Sequence, residues 1–483
     1  MQINDVRGIP TAPANHARRG CRAPGLCKRI PLPIGWFVRM RREPIAFYSQ
    51  LTRDFGDVAR IQLGPVVLHL LHHPDHVKHV LQDHHKNYPR GKAYDIIKPI
   101  AGDGLLTTDG EIWQQQRRMV QPAFHPQRLA CLADTMVDAT KDILRRWDGF
   151  AASGTVFDIH REMARLALDI ASRTMFGTDI ASDADLIGQA MGTVDRYMNR
   201  RVRALLPLPD KIPLPGKLRF NRAIRSLDEV VYRIIARQRT ALRNKDNLIA
   251  MLLEAQEQAG ETRMSDRQMR DTVITFLVAG HETTALTLGW VWYLLSRNAN
   301  ARKELNAELH SVLGGRVPCA SDLPKLQYTK MVIQEALRLY PPAWLFARTA
   351  ARPDQIGGYD IPAKSLVLLS PFLTHRHPEF WENPEGFEPE RFRSELHKNR
   401  HRCAYFPFAA GPHQCIGSEF ALMEIQLVVA TAMQSYTLDL VSGFTVTPEA
   451  GLALRPRDGI FVTLKRAAQS TSAAAVGASC GAL

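Results

Sequence analysis

The sequence predicts a mainly α-helical protein with small β-sheets. Over most of the 483 residues the apolar side chains recur at helical spacing, and only two stretches show the short apolar runs and turn residues of strands. An apolar content of 45% over this length suits one large fold with an extensive core. Disordered and fibrous proteins are therefore excluded.

Two segments supply the predicted strands. VARIQLGPVVLHLL, residues 58–71, places apolar runs on both sides of Gly64-Pro65 and predicts a β-hairpin. QIGGYDIPAKSLVLLSP, residues 355–371, predicts further short strands. The sheets should therefore be small and lie beside a larger helical part.

Both ends of the chain lack an apolar period. Residues 1–30 are rich in proline and arginine and residues 467–483 in small side chains, so both are predicted to be disordered tails around a single domain at 31–466. The arginines of the first tail also fit a transit peptide. The proline-rich stretch 206–216 would serve as an interdomain linker, but its leucines favour a loop between helices of one domain.

The longest predicted helix has an identifiable start. Ser265 and Gln268 form a capping-box pattern, and the apolar pattern continues from Asp266 to about Arg297, a length of roughly 48 Å. A helix of this length should cross the whole molecule. His281 and Glu282 near its middle argue against a membrane span, because a charge is expensive there.

The net charge of +14 suits nucleic acid, an acidic membrane surface or an acidic protein partner. No basic run interleaved with aromatic side chains indicates a nucleic-acid module, so an acidic protein partner is favoured. The N-terminus has no apolar segment of signal-peptide or anchor length, and a cytoplasmic protein without a membrane anchor is expected. The number of cysteines is odd and no C-x-x-C pair occurs, so a reducing compartment is expected. The cysteines are Cys21, Cys27, Cys131, Cys319, Cys403, Cys415 and Cys480.

The stretch AGHETTAL, residues 279–286, is unusual for the middle of a helix. Gly280 weakens the helix by up to about 1 kcal/mol, and Thr283 can bond back to a preceding carbonyl. One interpretation is a polar face turned to water. The other is a loosened turn that admits water or a small ligand and holds an acid, Glu282, beside an alcohol, Thr283, a pair that can deliver protons.

Two weaker patterns lie further along the chain. In QEALRLYPPAW, residues 334–344, Glu335 and Arg338 share one helix face, and the later motif PERF adds Arg391 as a third member of a buried network. An exposed ion pair of this kind would stabilise the protein little. Neither pattern indicates a function by itself.

The stretch FAAGPHQCIG, residues 408–417, contains the most specific pattern. Gly411 and Gly417 permit backbone turns unavailable to other residues, and an apolar, helix-compatible segment follows Cys415. A thiol at a helix N-terminus is favoured as a thiolate by the helix dipole and by nearby N–H groups. These residues alone leave three fates open for Cys415: a structural thiol, a metal ligand, or a nucleophile with His413 as its base.

Together the four patterns resemble those of one family. A-G-H-E-T-T in a long helix, then E-x-x-R, P-E-R-F and F-x-x-G-x-x-x-C-x-G, in this order and spacing, are similar to the cytochrome P450 family of haem-thiolate monooxygenases. The resemblance covers about residues 31–466 and implies the cytochrome P450 fold, a single large haem domain with a long central helix. It also implies haem b as the cofactor and O2 as a co-substrate.

The resemblance assigns roles around the cysteine. Cys415 would be the proximal thiolate on the haem iron, in a loop that contains Gly411 and Gly417, with Phe408 packed near the sulfur. A thiolate ligand donates electron density that favours O–O cleavage. The triad of Glu335, Arg338 and Arg391 would be scaffold behind this loop.

Further residues match positions around the rest of the cofactor. Glu282 and Thr283 match the acid and alcohol that relay protons during oxygen activation, while Ala279 and Gly280 line the turn where oxygen sits.

Four side chains match those that reach the haem propionates. Trp113 and Arg117 in WQQQRR and Arg348 would surround the two carboxylates with three donors. The family more often has arginine at the position of His413, so this contact would be a single imidazole hydrogen bond that is sensitive to pH.

The implied reaction inserts one oxygen atom from O2 into a lipophilic small molecule, such as a terpenoid or fatty acid, by hydroxylation or epoxidation. Electrons would come from a separate ferredoxin or flavodoxin with its NAD(P)H-dependent reductase. The chain would act as a monomer with no nucleic-acid partner. Two alternatives remain open: a hydrogen-peroxide-driven peroxygenase, which has less use for Glu282 and Thr283, and a haem-binding sensor or carrier without turnover.

A separate histidine cluster lies in HLLHHPDHVKH. Of its members, His72, His76 and His79 could share one face of a helix that starts near Pro74, as a zinc site would require. No carboxylate or cysteine completes an obvious set in this stretch, so adventitious metal binding, or none, is expected. The full cluster is His69, His72, His73, His76 and His79.

Overall fold

The computed structural model describes residues 22–27, 34–177, 184–203, 214–240, 247–258, 264–393, 395 and 400–467. The helices are α1 (Ile34–Arg42), α2 (Pro44–Phe55), α3 (Pro74–Lys78), α4 (Lys98–Ala101), α5 (Gly110–Val120), α6 (Pro126–Ala130), α7 (Ala133–Ser153), α8 (Ile159–Phe176), α9 (Ala184–Arg203), α10 (Pro215–Thr240), α11 (Leu248–Gln258), α12 (Asp266–Arg297), α13 (Ala299–Leu313), α14 (Gln327–Leu339), α15 (Pro371–Thr374) and α16 (Ser418–Met433). The strands are β1 (Gly25–Cys27), β2 (Val58–Leu63), β3 (Val66–Leu71), β4 (Phe157–Asp158), β5 (Phe346–Thr349), β6 (Asp354–Ile356), β7 (Tyr359–Ile361), β8 (Leu366–Leu369), β9 (Tyr436–Leu440), β10 (Pro448–Ala450), β11 (Leu454–Pro456) and β12 (Phe461–Arg466).

Helix α12 is the predicted long central helix, with the predicted bounds. The Ser265 hydroxyl accepts from the Gln268 N–H at 3.2 Å, and the Gln268 side chain accepts from the Ser265 N–H at 2.9 Å. This reciprocal capping box satisfies two N–H groups that a helix start leaves free. The second half of the helix is buried on all sides, including Trp290 and Trp292. The helix therefore forms the centre of the core, as predicted.

The largest sheet has the strand order β1-β2-β3-β8-β5. The predicted hairpin at 58–71 is confirmed as the antiparallel pair β2 and β3, with Val58 opposite Leu71. The predicted strands in 355–371 are confirmed as β6, β7 and β8. Three smaller sheets, β4-β12-β9, β10-β11 and β6-β7, complete a mainly helical fold with small sheets.

The predicted tails need one correction. Gly25–Cys27 pairs in parallel with Arg60–Gln62 and forms the edge strand of the large sheet. The prediction of a disordered tail at 1–30 is therefore wrong for these three residues. A loop is predicted at 206–216. Its residues 206–213 lie outside the described residues, and α10 begins at Pro215. Residues 1–21 and 468–483 also lie outside them. In the part of the chain that the structure describes, no helix combines the length and apolar character of a membrane span.

Candidate functional site

The loop before α16 holds Cys415 in a fixed position. The Cys415 N–H donates to the Phe408 carbonyl at 2.9 Å, which closes the loop between the two residues. Gly411 has φ +71°, and a Cβ there would lie 1.9 Å from the Leu81 carbonyl oxygen. No other residue fits at this position. Ala409 also has a positive φ, of 58°.

The prediction for the second glycine of this loop is wrong. Gly417 has φ −88° and ψ 13°, which other residues also adopt, and a Cβ there would meet Phe124 at an ordinary 3.9 Å. Gly417 contributes its backbone instead, because its N–H acts to lower the pKa of the Cys415 thiol.

The thiol of Cys415 has the properties of a ligand rather than of a free nucleophile. The side chain reaches solvent, yet protein surrounds it closely enough that desolvation raises its pKa. The Gly417 N–H and the charge of Arg117 act in the opposite direction. A thiol with a raised pKa is a poor nucleophile, whereas a bound metal cation deprotonates a coordinating thiol directly. The raised pKa therefore argues against the nucleophile among the three fates.

Three arginines converge beside this loop. Arg348 donates to the Tyr94 hydroxyl at 3.0 Å, and Arg90 donates to the carbonyls of Leu105 and Thr108 at 3.0 and 2.9 Å. The guanidinium groups of Arg90 and Arg348 lie 5.7 and 5.8 Å from the centre of the Tyr94 ring.

The third arginine, Arg117, donates to the Gln414 carbonyl at 3.0 Å, directly before the cysteine. Among the described residues, none of the three arginines has a carboxylate within ion-pair distance. Burial lowers the pKa of Arg90 to about 10 and also lowers that of Arg117. Neighbouring buried cations without a counter-ion are costly. The cluster therefore suits a dianionic ligand.

His413 completes this basic cluster. Its ring lies against Trp113, with ring centres 3.9 Å apart, and its Nδ1 is buried without a hydrogen-bond partner. Burial, together with the charges of Arg90 and Arg348, lowers the pKa of His413 to about 3. The imidazole is therefore neutral, with one polar atom free to contact a ligand. The propionates of haem b fit this set of donors.

The structure brings the predicted residues Trp113, Arg117, Arg348 and His413 together and adds Arg90, which was not predicted. The Thr349 N–H donates to the Pro89 carbonyl at 2.8 Å, which brings Arg90 beside the strand of Arg348. The sequence shows only an arginine in the segment YPRG, and its burial depends on this tertiary contact.

The middle of α12 has an accessible face. Ala279 is exposed and Thr283 is half-buried, although Leu277 and Thr284 on either side are buried. The Thr283 hydroxyl donates to the Ala279 carbonyl at 2.7 Å. Gly280 remains helical, so the predicted loosened turn is an accessible face of a continuous helix rather than a break.

Glu282 is an acid held in its protonated form. Burial is the main cause that raises its pKa to about 8, and the charge and hydrogen bond of Asp195 add to it, whereas Arg455 lowers it. Asp195 lies on α9, where Asn199 donates to its carboxylate at 2.5 Å and Arg455 lies 3.6 Å away. No local sequence pattern marks Asp195, because its proximity to Glu282 depends on tertiary structure.

The predicted triad forms a fully buried network. Both oxygens of Glu335 accept from Arg338, at 2.6 and 2.7 Å, and Arg391 donates to Glu335 at 3.1 Å. Arg338 also donates to the carbonyls of His375, Pro384 and Gly386. These bonds join α14 to the segment that leads to the cysteine loop.

His375 links this network to the loop and was not predicted. Its Nδ1 contacts the Arg338 carbonyl at 3.3 Å, and its Nε2 accepts from the Phe406 N–H at 2.9 Å. Phe406 lies two residues before Phe408. Because Nε2 must be the acceptor, the proton lies on Nδ1, and the neutral ring fixes the start of the cysteine loop.

The arrangement in which His72, His76 and His79 share one helix face does not form. Helix α3 does start at Pro74, but His79 contacts Asp354 at 2.8 Å while His72 faces Asp57. His72 precedes the helix, whose N-cap is His73, and a π-helical turn from His79 to Asp83 follows Lys78. These three residues therefore do not form one site.

The fold and the cysteine loop define a haem-thiolate protein, and comparisons with known proteins agree. Residues 24–463 match the sequence model of the family "Cytochrome P450". The chain is 36% identical to cyclooctat-9-en-7-ol 5-monooxygenase of Streptomyces melanosporofaciens, over 88% of this chain and 90% of that protein. It is 33% identical to pentalenene oxygenase of Streptomyces avermitilis, over 89% and 93% of the two chains.

A solved structure has the same fold. The crystal structure of the cytochrome P450DA haem domain matches with a TM-score of 0.85 and 26% identity, over 93% of this chain and 98% of that one. The protein thus belongs to the cytochrome P450 family. It is a haem b monooxygenase that uses O2.

Proposed function

We propose that this protein is an oxygen-dependent monooxygenase of a terpenoid or a similar lipophilic molecule. The observation that carries the proposal is the protonated acid Glu282 beside Thr283 on the accessible face of the central helix. Haem b, when bound, supplies the activation of O2 and the transfer of one oxygen atom. The chain's own residues hold the cofactor, orient the substrate and supply protons.

The cofactor would be held at two ends. Cys415 would bind the iron, and the loop from Phe408 to Gly417 would keep the sulfur in place. Arg90, Arg117, Arg348, Trp113 and His413 would contact the propionates. The unpaired charges of the three arginines and the free Nδ1 of His413 support this arrangement.

Two protons are needed for each O2 that is reduced and split to give one water molecule. Glu282 holds a proton below about pH 8, and Asp195, hydrogen-bonded to it, would pass a proton on from the surface. Thr283 would position water on the accessible face of α12. A peroxygenase receives its protons with the peroxide, so this acid–alcohol pair supports the oxygen-dependent reaction.

A lipophilic substrate is supported by the segments that would cover the pocket. Residues 86–107 include the buried side chains of Ile100 and Leu105. Arg270 donates to the Ile100 carbonyl at 2.9 Å and to Asp228 on α10 at 2.7 Å, so it ties this segment to two helices. The names of the relatives point to terpenoid substrates, and we extend that class to this chain.

The electrons of a cytochrome P450 come from a redox partner. We infer a separate ferredoxin or flavodoxin with its NAD(P)H-dependent reductase, acting with a monomer in the cytoplasm. The net charge of +14 supports an acidic partner of this kind.

Replacement of Thr283 by alanine tests the oxygen-dependent reaction. With a ferredoxin system and a terpenoid substrate, Thr283→Ala should form roughly tenfold less product per NAD(P)H, while peroxide-driven turnover should persist. Thr287→Ala is the matched control, because Thr287 lies one turn further along and its hydroxyl donates to the Thr283 carbonyl at 2.9 Å. Equal coupling in all three proteins would reject the proposed role of Thr283.

A further inference from the structure

A carboxylate and two imidazoles converge on the side of the large sheet. The Nε2 atoms of His377 and His72 lie 3.1 and 3.5 Å from the same Asp57 oxygen. The three candidate donor atoms all lie within 4.8 Å of one another. We propose that Asp57, His72 and His377 bind a divalent transition-metal ion, with zinc as the best match.

The fold brings the three residues together from separate elements. Asp57 directly precedes β2 and His72 directly follows β3, so the hairpin register places them opposite each other, and the His72 N–H lies 3.4 Å from the Asp57 carbonyl. His377 arrives after α15, where its N–H donates to Thr374 at 3.1 Å. Backbone hydrogen bonds thus hold the main chain of all three residues before any ion binds. The histidine-rich stretch contains no carboxylate that completes a metal site, but the fold supplies Asp57 from outside this stretch.

The spacing suits tetrahedral zinc. Zinc binds imidazole nitrogen and carboxylate oxygen at about 2.0–2.2 Å, so adjacent donors in a tetrahedron lie about 3.3–3.5 Å apart. The two distances to Asp57 bracket this range. The rings of His72 and His377 have their centres 4.9 Å apart, which is close to the separation of two imidazoles on one tetrahedral ion. A water molecule would fill the fourth position.

Burial and access also suit a metal. The two histidines are buried, whereas the Asp57 side chain is 43% exposed and leaves an entry path.

In the metal-free protein, His72 and His377 would instead both hydrogen-bond to the Asp57 carboxylate. The Glu379 N–H donates to His377 Nδ1 at 3.3 Å, and metal binding at Nε2 would move the ring proton to Nδ1 and cost this long bond. His72 has no such bond to lose, because its Nδ1 is buried without a partner. The ion would tie the hairpin to the segment that carries His375 and supports the cysteine loop.

Zinc retention by the full-length holoprotein tests the site. Untagged protein is dialysed against a chelator, incubated with zinc chloride, desalted and analysed for zinc per chain. Wild type should retain close to one zinc per chain. Loss of a residue that only supports a metal ligand lowers metal affinity roughly 10- to 100-fold. His72→Gln and Asp57→Asn remove a ligand itself, so their affinity for zinc should fall by more than this.

The matched control is His84→Gln. His84 stacks on His79 at 3.9 Å in the same histidine-rich part of the surface, without the converging carboxylate, so this variant should retain zinc. No retained zinc in wild type, or equal retention in all variants, would overturn the proposal and show adventitious binding only. X-ray absorption of zinc-loaded wild type needs no variant: two imidazole ligands are expected, and none would contradict the site.

Discussion

The Glu282 carboxyl group on α12 lies beside Asp195 on α9, and burial, together with the charge and side-chain hydrogen bond of Asp195, raises the pKa of Glu282 to about 8. Asp195 is in turn held by Asn199 and lies near Arg455 on β11. The acid of the central helix is therefore connected to two other elements, and its proton affinity depends on both.

The pH dependence of turnover tests this connection. Because the pKa of Glu282 is raised to about 8, Glu282 is a proton donor below that pH and loses this ability as the pH rises through it. Coupled product formation should therefore fall near pH 8. Asp195→Asn removes a negative charge, lowers the pKa of Glu282 and should move this fall to lower pH. The measurement is product per NAD(P)H between about pH 6 and pH 9.

Asp142→Asn is the control for this experiment. Asp142 pairs with Arg145 and Arg173, outside the Glu282 network, and its replacement should leave the alkaline fall in place. Identical profiles for wild type and Asp195→Asn would contradict the connection.

The arginine cluster predicts how firmly haem is held. Arg90→Gln and Arg348→Gln should each release haem to excess apomyoglobin roughly 10- to 100-fold faster, since a charge-assisted hydrogen bond contributes about 1.5–3 kcal/mol. Arg118→Gln, an exposed neighbour of Arg117, should match wild type. If all three variants lose haem at the wild-type rate, the cluster does not bind the propionates.

The two glycines of the cysteine loop should respond in opposite ways to the same substitution. Gly411→Ala places a Cβ 1.9 Å from the Leu81 carbonyl at a positive φ, and should yield protein without stoichiometric haem. Gly417→Ala has ordinary space and a negative φ, and should retain haem. Haem content per folded chain is the measurement. Full haem in Gly411→Ala would show that the loop geometry described above is wrong.

The buried triad should matter for stability. Glu335→Gln leaves buried Arg338 without its counter-ion, although Arg391 keeps its pair with Glu388, and should lower the free energy of unfolding by about 3–5 kcal/mol. Glu385 pairs with Arg376, and the Glu385 side chain is 74% exposed. Glu385→Gln should therefore lower the free energy of unfolding by less than about 1 kcal/mol. Urea unfolding followed by circular dichroism compares the two. Similar losses in both variants would argue against a scaffold role for the triad.

Local sequence signals predicted much of the fold. The capping box of Ser265 and Gln268 marked the start of α12, and Gly64-Pro65 marked the turn of the hairpin, because both depend on neighbouring residues. The tail prediction was wrong at Gly25–Cys27, where three residues gain order only by pairing with β2.

The candidate site was predictable where residues lie close to a motif. One backbone hydrogen bond joins Phe408 and Cys415. The spacing of these two residues in the sequence therefore predicts the shape of the loop. Arg90, Asp195 and His375 were missed, because each acquires its partner from a distant element. Gly417 was misjudged, because composition alone does not reveal which glycine has a positive φ.

The central claim is that Cys415 binds the haem iron as a thiolate. The reduced, carbon-monoxide-bound spectrum of the purified protein tests it most directly, with Cys403→Ser as a control for a buried thiol elsewhere. Wild type and Cys403→Ser should show the red-shifted Soret band of a thiolate ligand, and Cys415→Ser should lose it. A wild-type band without the red shift, or an unchanged band in Cys415→Ser, would contradict the assignment.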